Sequence, residues 1–282
     1  MSSQEEVSAT LTGSVDVGNG VQMYFEERGQ GTPLLLVHGM WGSCRFFRDQ
    51  LTGLSAKYRV IAVDLRGHGR SSMTLSDQTV PTYARDLHAF VQKRELREFV
   101  AVGWSMGAFV WWEYYRQFGR AGVRGHVVVD QPPSDWRSAD IPDALLSFEM
   151  LRDWYYRIQT DRNALMREVV PMMFAAPPAP ADLQWMFDEM TRAPEAIAAA
   201  IMFDQSVREY QDVLRDYPIT TLVCGGSRSP QPRAGLAMIV ERVKEGKLVV
   251  FEGAGHCLFL EDAPRFNAAV DEFVTSLHIP PG

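Results

Sequence analysis

Phe99-Val100-Ala101-Val102 runs directly into Gly103-Trp104-Ser105-Met106-Gly107, and the segment from Ala108 to Phe118 then carries a helical pattern. The order is a buried strand, a sharp turn with a serine at its apex, and a helix. A G-x-S-x-G turn of this kind is too tight for bulky neighbours, so glycines flank the serine, whose hydroxyl stands above the sheet edge at a helix N-terminus. The first turn of that helix leaves the Met106 N–H without an intrahelical partner, free to bind a developing oxyanion.

Outward from this stretch, short apolar runs alternate with helical patterns. Leu34 to Val37, Val60 to Val63, Phe99 to Val102, Val127 to Val129, Thr221 to Cys224 and Leu248 to Phe251 read as buried strands. Arg45 to Ala56, Thr82 to Glu95, Ala108 to Phe118, Arg233 to Lys244 and Ala263 to Leu277 read as helices. Ahead of them, Leu11 to Val17 and Val21 to Glu27 flank Gly18-Asn19-Gly20, a hairpin signal. The alternation predicts an α/β fold, a mostly parallel sheet covered by helices on both faces, with ligands at the carboxyl ends of the strands.

The alternation breaks between Pro132 and Tyr217, where helical pieces are separated by Pro142, Pro171, Pro177-Pro178-Ala179-Pro180 and Pro194. This predicts an inserted helical cap at 134–214 over a core made of 1–133 and 215–282. The insertion holds more large apolar side chains than a small lid needs for its own packing. Phe174, Trp185 and Met186, with Trp104 beside the elbow, are therefore expected to line a pocket for an apolar or aromatic ligand.

Composition narrows the function. The net charge of −7 supplies no basic stripe for nucleic acid. No apolar run approaches the roughly 20 residues of a membrane span. Met1 to Ala9 lacks the pattern of a signal peptide and reads as a frayed end of a cytoplasmic protein. Cys44, Cys224 and Cys257 are too scattered for a disulfide framework or a zinc site and read as reduced packing residues. Neither a metal nor an organic cofactor is expected. The sequence is compatible with a homodimer and does not set the oligomeric state.

A serine nucleophile needs a histidine base. Of the six histidines, His256 follows the last strand in Glu252-Gly253-Ala254-Gly255-His256 and emerges at the same sheet edge as Ser105. His38, His68, His88, His126 and His278 read as structural or solvated.

With these residues in view, the chain resembles an α/β-hydrolase fold enzyme over nearly its whole length. The matching elements are His38-Gly39, Asp64-Leu65-Arg66-Gly67-His68-Gly69-Arg70-Ser71, the Ser105 elbow, and Gly255-His256 followed by Glu261, Pro264 and Phe266. The N-terminal half is similar to the esterase and cofactor-free haloperoxidase (perhydrolase) branch. The resemblance implies a second oxyanion donor in the Met40 N–H and a substrate-lining role for Trp41. It also implies an acid partner for His256. In most relatives that is an Asp after the strand corresponding to Thr221 to Cys224, yet Gly225 to Arg233 contains no carboxylate.

The preceding strand ends in Asp130, which keeps the order Ser…Asp…His. Asp135 and Asp140 are the alternatives. Asp64 is disfavoured because its loop supports a turn. The shifted acid resembles that of zearalenone-type lactone hydrolases and of cofactor-free 2,4-dioxygenases; the latter typically carry a histidine after the elbow serine, where this chain has Met106. The expectation is a serine hydrolase of a hydrophobic ester or lactone, with cofactor-free oxygenase or perhydrolase chemistry as the alternative and a non-catalytic binding protein as a third, weaker reading.

Overall fold

The computed structural model describes residues 9–277. The frayed end expected at Met1 to Ala9 and the candidate His278 fall, apart from Ala9, outside the described residues. The elements follow in order as β1 (Leu11–Asp16), β2 (Gln22–Arg28), β3 (Pro33–Val37), α1 (Arg48–Gly53), β4 (Arg59–Val63), α2 (Val80–Lys93), β5 (Phe99–Trp104), α3 (Met106–Phe118) and β6 (Val123–Val129). Then come α4 (Phe148–Thr160), α5 (Arg162–Met172), α6 (Pro180–Met190), α7 (Glu195–Ser206) and α8 (Gln211–Leu214), all before β7 (Thr220–Gly226). α9 (Arg233–Arg242), β8 (Gly246–Phe251), α10 (Leu258–Glu261) and α11 (Ala263–Ser276) close the chain.

The strands form one eight-stranded sheet in the order β1-β2-β4-β3-β5-β6-β7-β8. β2 runs antiparallel to β1 and β4, and every pairing from β4 through β8 is parallel. The central strands are covered on both faces, which is why they read as continuous apolar runs rather than alternating ones. Leu34 to Val37 and all of β5 are buried.

Register decides where the site forms. Gly103 pairs with Val37, Trp104 with Val129, and Val129 with Cys224, so β5 and β6 end level while β7 runs two residues further, to Gly226. The ladder runs one bond past the strands: the Ser105 N–H donates to the Val129 carbonyl at 3.0 Å and the Asp130 N–H to the Cys224 carbonyl at 2.8 Å. Two loop residues far apart in sequence are thereby held by the same hydrogen-bond lattice.

Several boundaries differ from the sequence expectation for identifiable reasons. The helix expected over Arg45 to Ala56 is a 3-10 turn at Cys44–Phe47 followed by α1, which stops at Gly53. A Cβ at Gly53 would come within 2.2 Å of Asn267 Nδ2, which donates to the Asp49 carbonyl at 3.2 Å, so the α11 side chain rests on this turn. α2 starts two residues earlier than expected because Thr79 caps it, accepting from the Thr82 N–H, with Pro81 in the first turn. Pro171 does not separate helices; it sits in the last turn of α5. The four-residue α10 after His256 is too short to carry a helical pattern in the sequence.

Candidate active site

Ser105 sits at φ 52, ψ −124, a conformation L-residues adopt only when the surroundings impose it. Those surroundings are two glycine contacts. A Cβ on Gly107 would lie 2.1 Å from the Val37 carbonyl oxygen, and one on Gly103 would lie 2.6 Å from the Ala108 nitrogen. Although Ser105 occupies the N-cap of α3, its side chain makes no capping bond, so the hydroxyl is not spent on its own helix.

On the neighbouring strand end, Asp130 also has a left-handed backbone, at φ 52, and is fully buried. His256 Nδ1 lies 2.7 Å from its Oδ2. Oδ1 accepts from the Gly226 N–H at 3.0 Å, and the Ser229 hydroxyl donates to Oδ2. The carboxylate-free loop after β7 thus supplies the donors that satisfy a carboxylate rooted on β6, a role invisible in its composition. With Nδ1 held by a carboxylate, Nε2 is the imidazole nitrogen left to exchange a proton. The His256 backbone is pinned as well, because its carbonyl accepts from Trp104 Nε1 at 3.2 Å and the Gly255 N–H donates to Glu261 Oε2 at 2.6 Å.

None of the alternative carboxylates is hydrogen-bonded to His256. Asp140 is exposed. Asp64 accepts from the Cys44 and Arg70 N–H groups at 2.6 and 2.7 Å, and burial pushes its carboxyl up to about 6. Asp135 is buried against Gln131 and Gln205 rather than against the imidazole. The other described histidines are engaged in packing. His38 joins Gly39 and Leu65, His68 the Arg66 carbonyl, His88 Tyr114, and His126 Tyr217.

Ser105 and His256 border one cavity, of which about 90 Å³ is open to the centre of a water-sized sphere. Its walls are mostly apolar, including Trp41, Trp104, Leu146, Trp154, Met190 and Met202. Met40 lines it too, on a turn pressed so closely to the elbow that a Cβ on Gly39 would touch Ser105 Cβ at 3.0 Å.

Residues 34–269 match the family described as Alpha/beta hydrolase family. The chain belongs to that family. It is 28% identical over 274 residues to a non-heme haloperoxidase of Rhodococcus erythropolis, covering 93% of this chain and 99% of that protein. It is 25% identical over 279 residues to the bifunctional esterase/perhydrolase DCH of Acinetobacter calcoaceticus, covering 94% and 100%. The crystal structure of a bromoperoxidase from Bacillus anthracis superposes with a TM-score of 0.88 at 25% identity, covering 95% of this chain and 100% of that one. The family and these relatives support a hydrolase.

In this α/β hydrolase the cavity wall differs from the sequence expectation at the insertion. Trp41 and Trp104 reach the cavity, whereas Trp185, Phe174 and Met186 do not border it. Trp185 packs edge-on to Phe46, donates to Asp182 Oδ1 at 2.9 Å, and lies under the guanidinium groups of Arg45 and Arg48. Phe174 and Met186 border a separate surface depression beside Pro178. On α6, Asp182 and Trp185 face Arg48, whereas Met190 at its end lines the cavity, and Phe174 lies on the segment between α5 and α6. Trp154, Met172, Met173 and Met202 take the lining positions instead. The Trp41 indole donates to the Ala198 carbonyl at 3.1 Å, fastening α7 to the turn that holds Met40.

Proposed function

We propose that this protein hydrolyses a carboxylic ester or lactone of a hydrophobic, aromatic-bearing small molecule. Ser105 attacks the carbonyl as His256 takes its proton, and Asp130 holds the imidazole tautomer and stabilises the imidazolium. The Met40 and Met106 N–H groups receive the oxyanion, each contributing about 3–4 kcal/mol by analogy with known donors. Residues 134–214 act as the lid over this centre, and water releases the acyl group. The observation that carries the reading is the 2.7 Å Asp130–His256 pair on the cavity where Ser105 stands on its strained turn.

A second reading, perhydrolysis, is favoured by the names of the haloperoxidase and esterase/perhydrolase relatives. It uses the same acyl-enzyme, with hydrogen peroxide replacing water. An aryl ester assayed in labelled water separates the readings. The hydrolase should incorporate water oxygen into the acid, turn over unchanged without dioxygen, and be inactivated by phenylmethylsulfonyl fluoride with Ser105 sulfonylated. Peracid formed faster than acid at millimolar peroxide supports the second reading. Dioxygen uptake matching product, with label arriving from dioxygen, overturns both.

A further inference from the structure

The apolar cavity has one polar region that the acyl-transfer chemistry does not use. Asp135, Gln205 and Gln231 line it along with Ser105 and His256, and all three side chains are more than nine-tenths buried. Gln205 Nε2 donates to Asp135 Oδ2 at 2.7 Å. Gln131 Nε2 donates to Asp135 Oδ1 at 2.7 Å and to the Pro132 carbonyl at 3.0 Å, spending both of its N–H groups. These bonds set the amide orientations of Gln131 and Gln205, since turning either over would set a carbonyl against a carboxylate oxygen, and the Gln231 side chain is likewise hydrogen-bonded to Asp135, which assigns its amide nitrogen to the carboxylate.

The consequence is that Gln205 Oε1 and Gln231 Oε1 are buried without a partner among the described residues. Burial pushes the Asp135 carboxyl up from its ordinary value, while the surrounding glutamines and His256 pull it down. Buried acceptors without donors are rare, because each forfeits its hydration. Two of them on residues that wall one cavity, beside a buried carboxylate that itself only accepts when ionised, make a region rich in acceptors and poor in donors.

We propose that this region recognises a hydrogen-bond donor on the substrate, a hydroxyl or a protonated amine, with Gln205 and Gln231 as specificity-determining residues and Asp135 as the group that positions Gln205. The proposal rests on the reading that the Ser105 cavity receives the ester or lactone, and it narrows that substrate to one carrying a donor away from the scissile carbonyl. A site built to accept a hydrogen bond rejects the analogue that lacks the donor, because its own buried polar groups are then left unpaired.

The test is a series of methyl arylacetates and aryl acetates bearing hydroxyl, methoxy, hydrogen or dimethylaminomethyl at the meta or para position. Wild-type kcat/KM should favour a donor-bearing member over its methoxy partner by roughly 30-fold or more. Which donor leads, neutral or cationic, identifies the group recognised. In the Gln205→Met/Gln231→Met double variant the ratio should fall to within about 3-fold. Asp135→Asn should raise KM for the donor-bearing ester more than it lowers kcat, which a purely structural loss would not do. Sulfonylation of Ser105 in each variant verifies that the site is assembled.

In parallel, the Ser105→Ala protein is titrated calorimetrically with 4-hydroxyphenylacetamide and 4-methoxyphenylacetamide. Ester turnover with equal hydroxyl and methoxy rates in the wild type, or a preference that survives in the double variant, overturns the proposal and leaves the hydrolase reading standing. Tighter binding of the hydroxy amide with no ester turned over overturns the hydrolase reading and supports donor recognition.

Discussion

Asp130 is held by a convergence that one substitution can probe. Its carboxylate meets His256 Nδ1, the Gly226 N–H and the Ser229 hydroxyl, and its own backbone is bonded to Cys224. Asn in its place keeps the shape and can still accept from Gly226, but it can present an N–H to the imidazole and so stabilise the wrong tautomer. Asp130→Asn should therefore lower kcat by on the order of 10³–10⁴ with little change in thermal midpoint, against about 10⁴–10⁶ for Ser105→Ala. Steady-state kinetics and thermal melts check this. A mild Asp130→Asn beside a kcat collapse in Asp135→Asn would move the acid to Asp135.

The turn after β3 shows how an element depends on a proton. His38 is fully buried between two backbone partners, its Nδ1 lying 2.8 Å from the Gly39 carbonyl and its Nε2 accepting from the Leu65 N–H at 3.1 Å. That pairing requires the neutral Nδ1–H tautomer, because a second ring proton would face the Leu65 N–H. Burial lowers the pKa of His38 from 6.5 to about 4. The sign follows from linkage. Between these values the unfolded chain binds a proton that the folded one refuses, so stability is full above about 6.5 and is lost as pH falls toward 4. The contribution of His38 to this loss is about 3 kcal/mol. Urea unfolding of the wild type and His38→Gln from pH 7.5 to 4 should show the variant's deficit shrinking as pH falls. A deficit independent of pH would mean that His38 is protonated in the folded state. The same turn carries Gly39 and Met40 against the elbow, so acid should disturb the candidate oxyanion donors before the central sheet.

At the scale of the molecule, the helices between β6 and β7 close the cavity that the sheet edge opens. Trp154 on α4 is a partly exposed part of that wall. Trp154→Ala should cost little stability, because the side chain is not fully buried, yet it should widen the cavity. The expected result is a rise of about tenfold in the kcat/KM ratio of naphthyl butyrate to phenyl acetate, within the range by which pocket volume discriminates substrates. An unchanged ratio would mean that substrate does not reach α4.

Sequence alone settled what depends on local backbone chemistry. Glycines around Ser105 announce a turn that only they permit, and short β-branched runs between helical patterns announce a sheet buried on both faces, so the α/β hydrolase fold was legible in the chain. The placement of side chains from distant segments was not. That Asp130 touches His256 across 126 positions, that Ser229 and Gly226 satisfy it, and that Trp154 rather than Trp185 walls the cavity follow from strand register and helix rotation. Three buried glutamines around Asp135 look in the sequence like ordinary polar residues. Their meaning arises only after folding strips them of water, because an amide carbonyl is unremarkable in solvent and costly without a partner in an apolar interior.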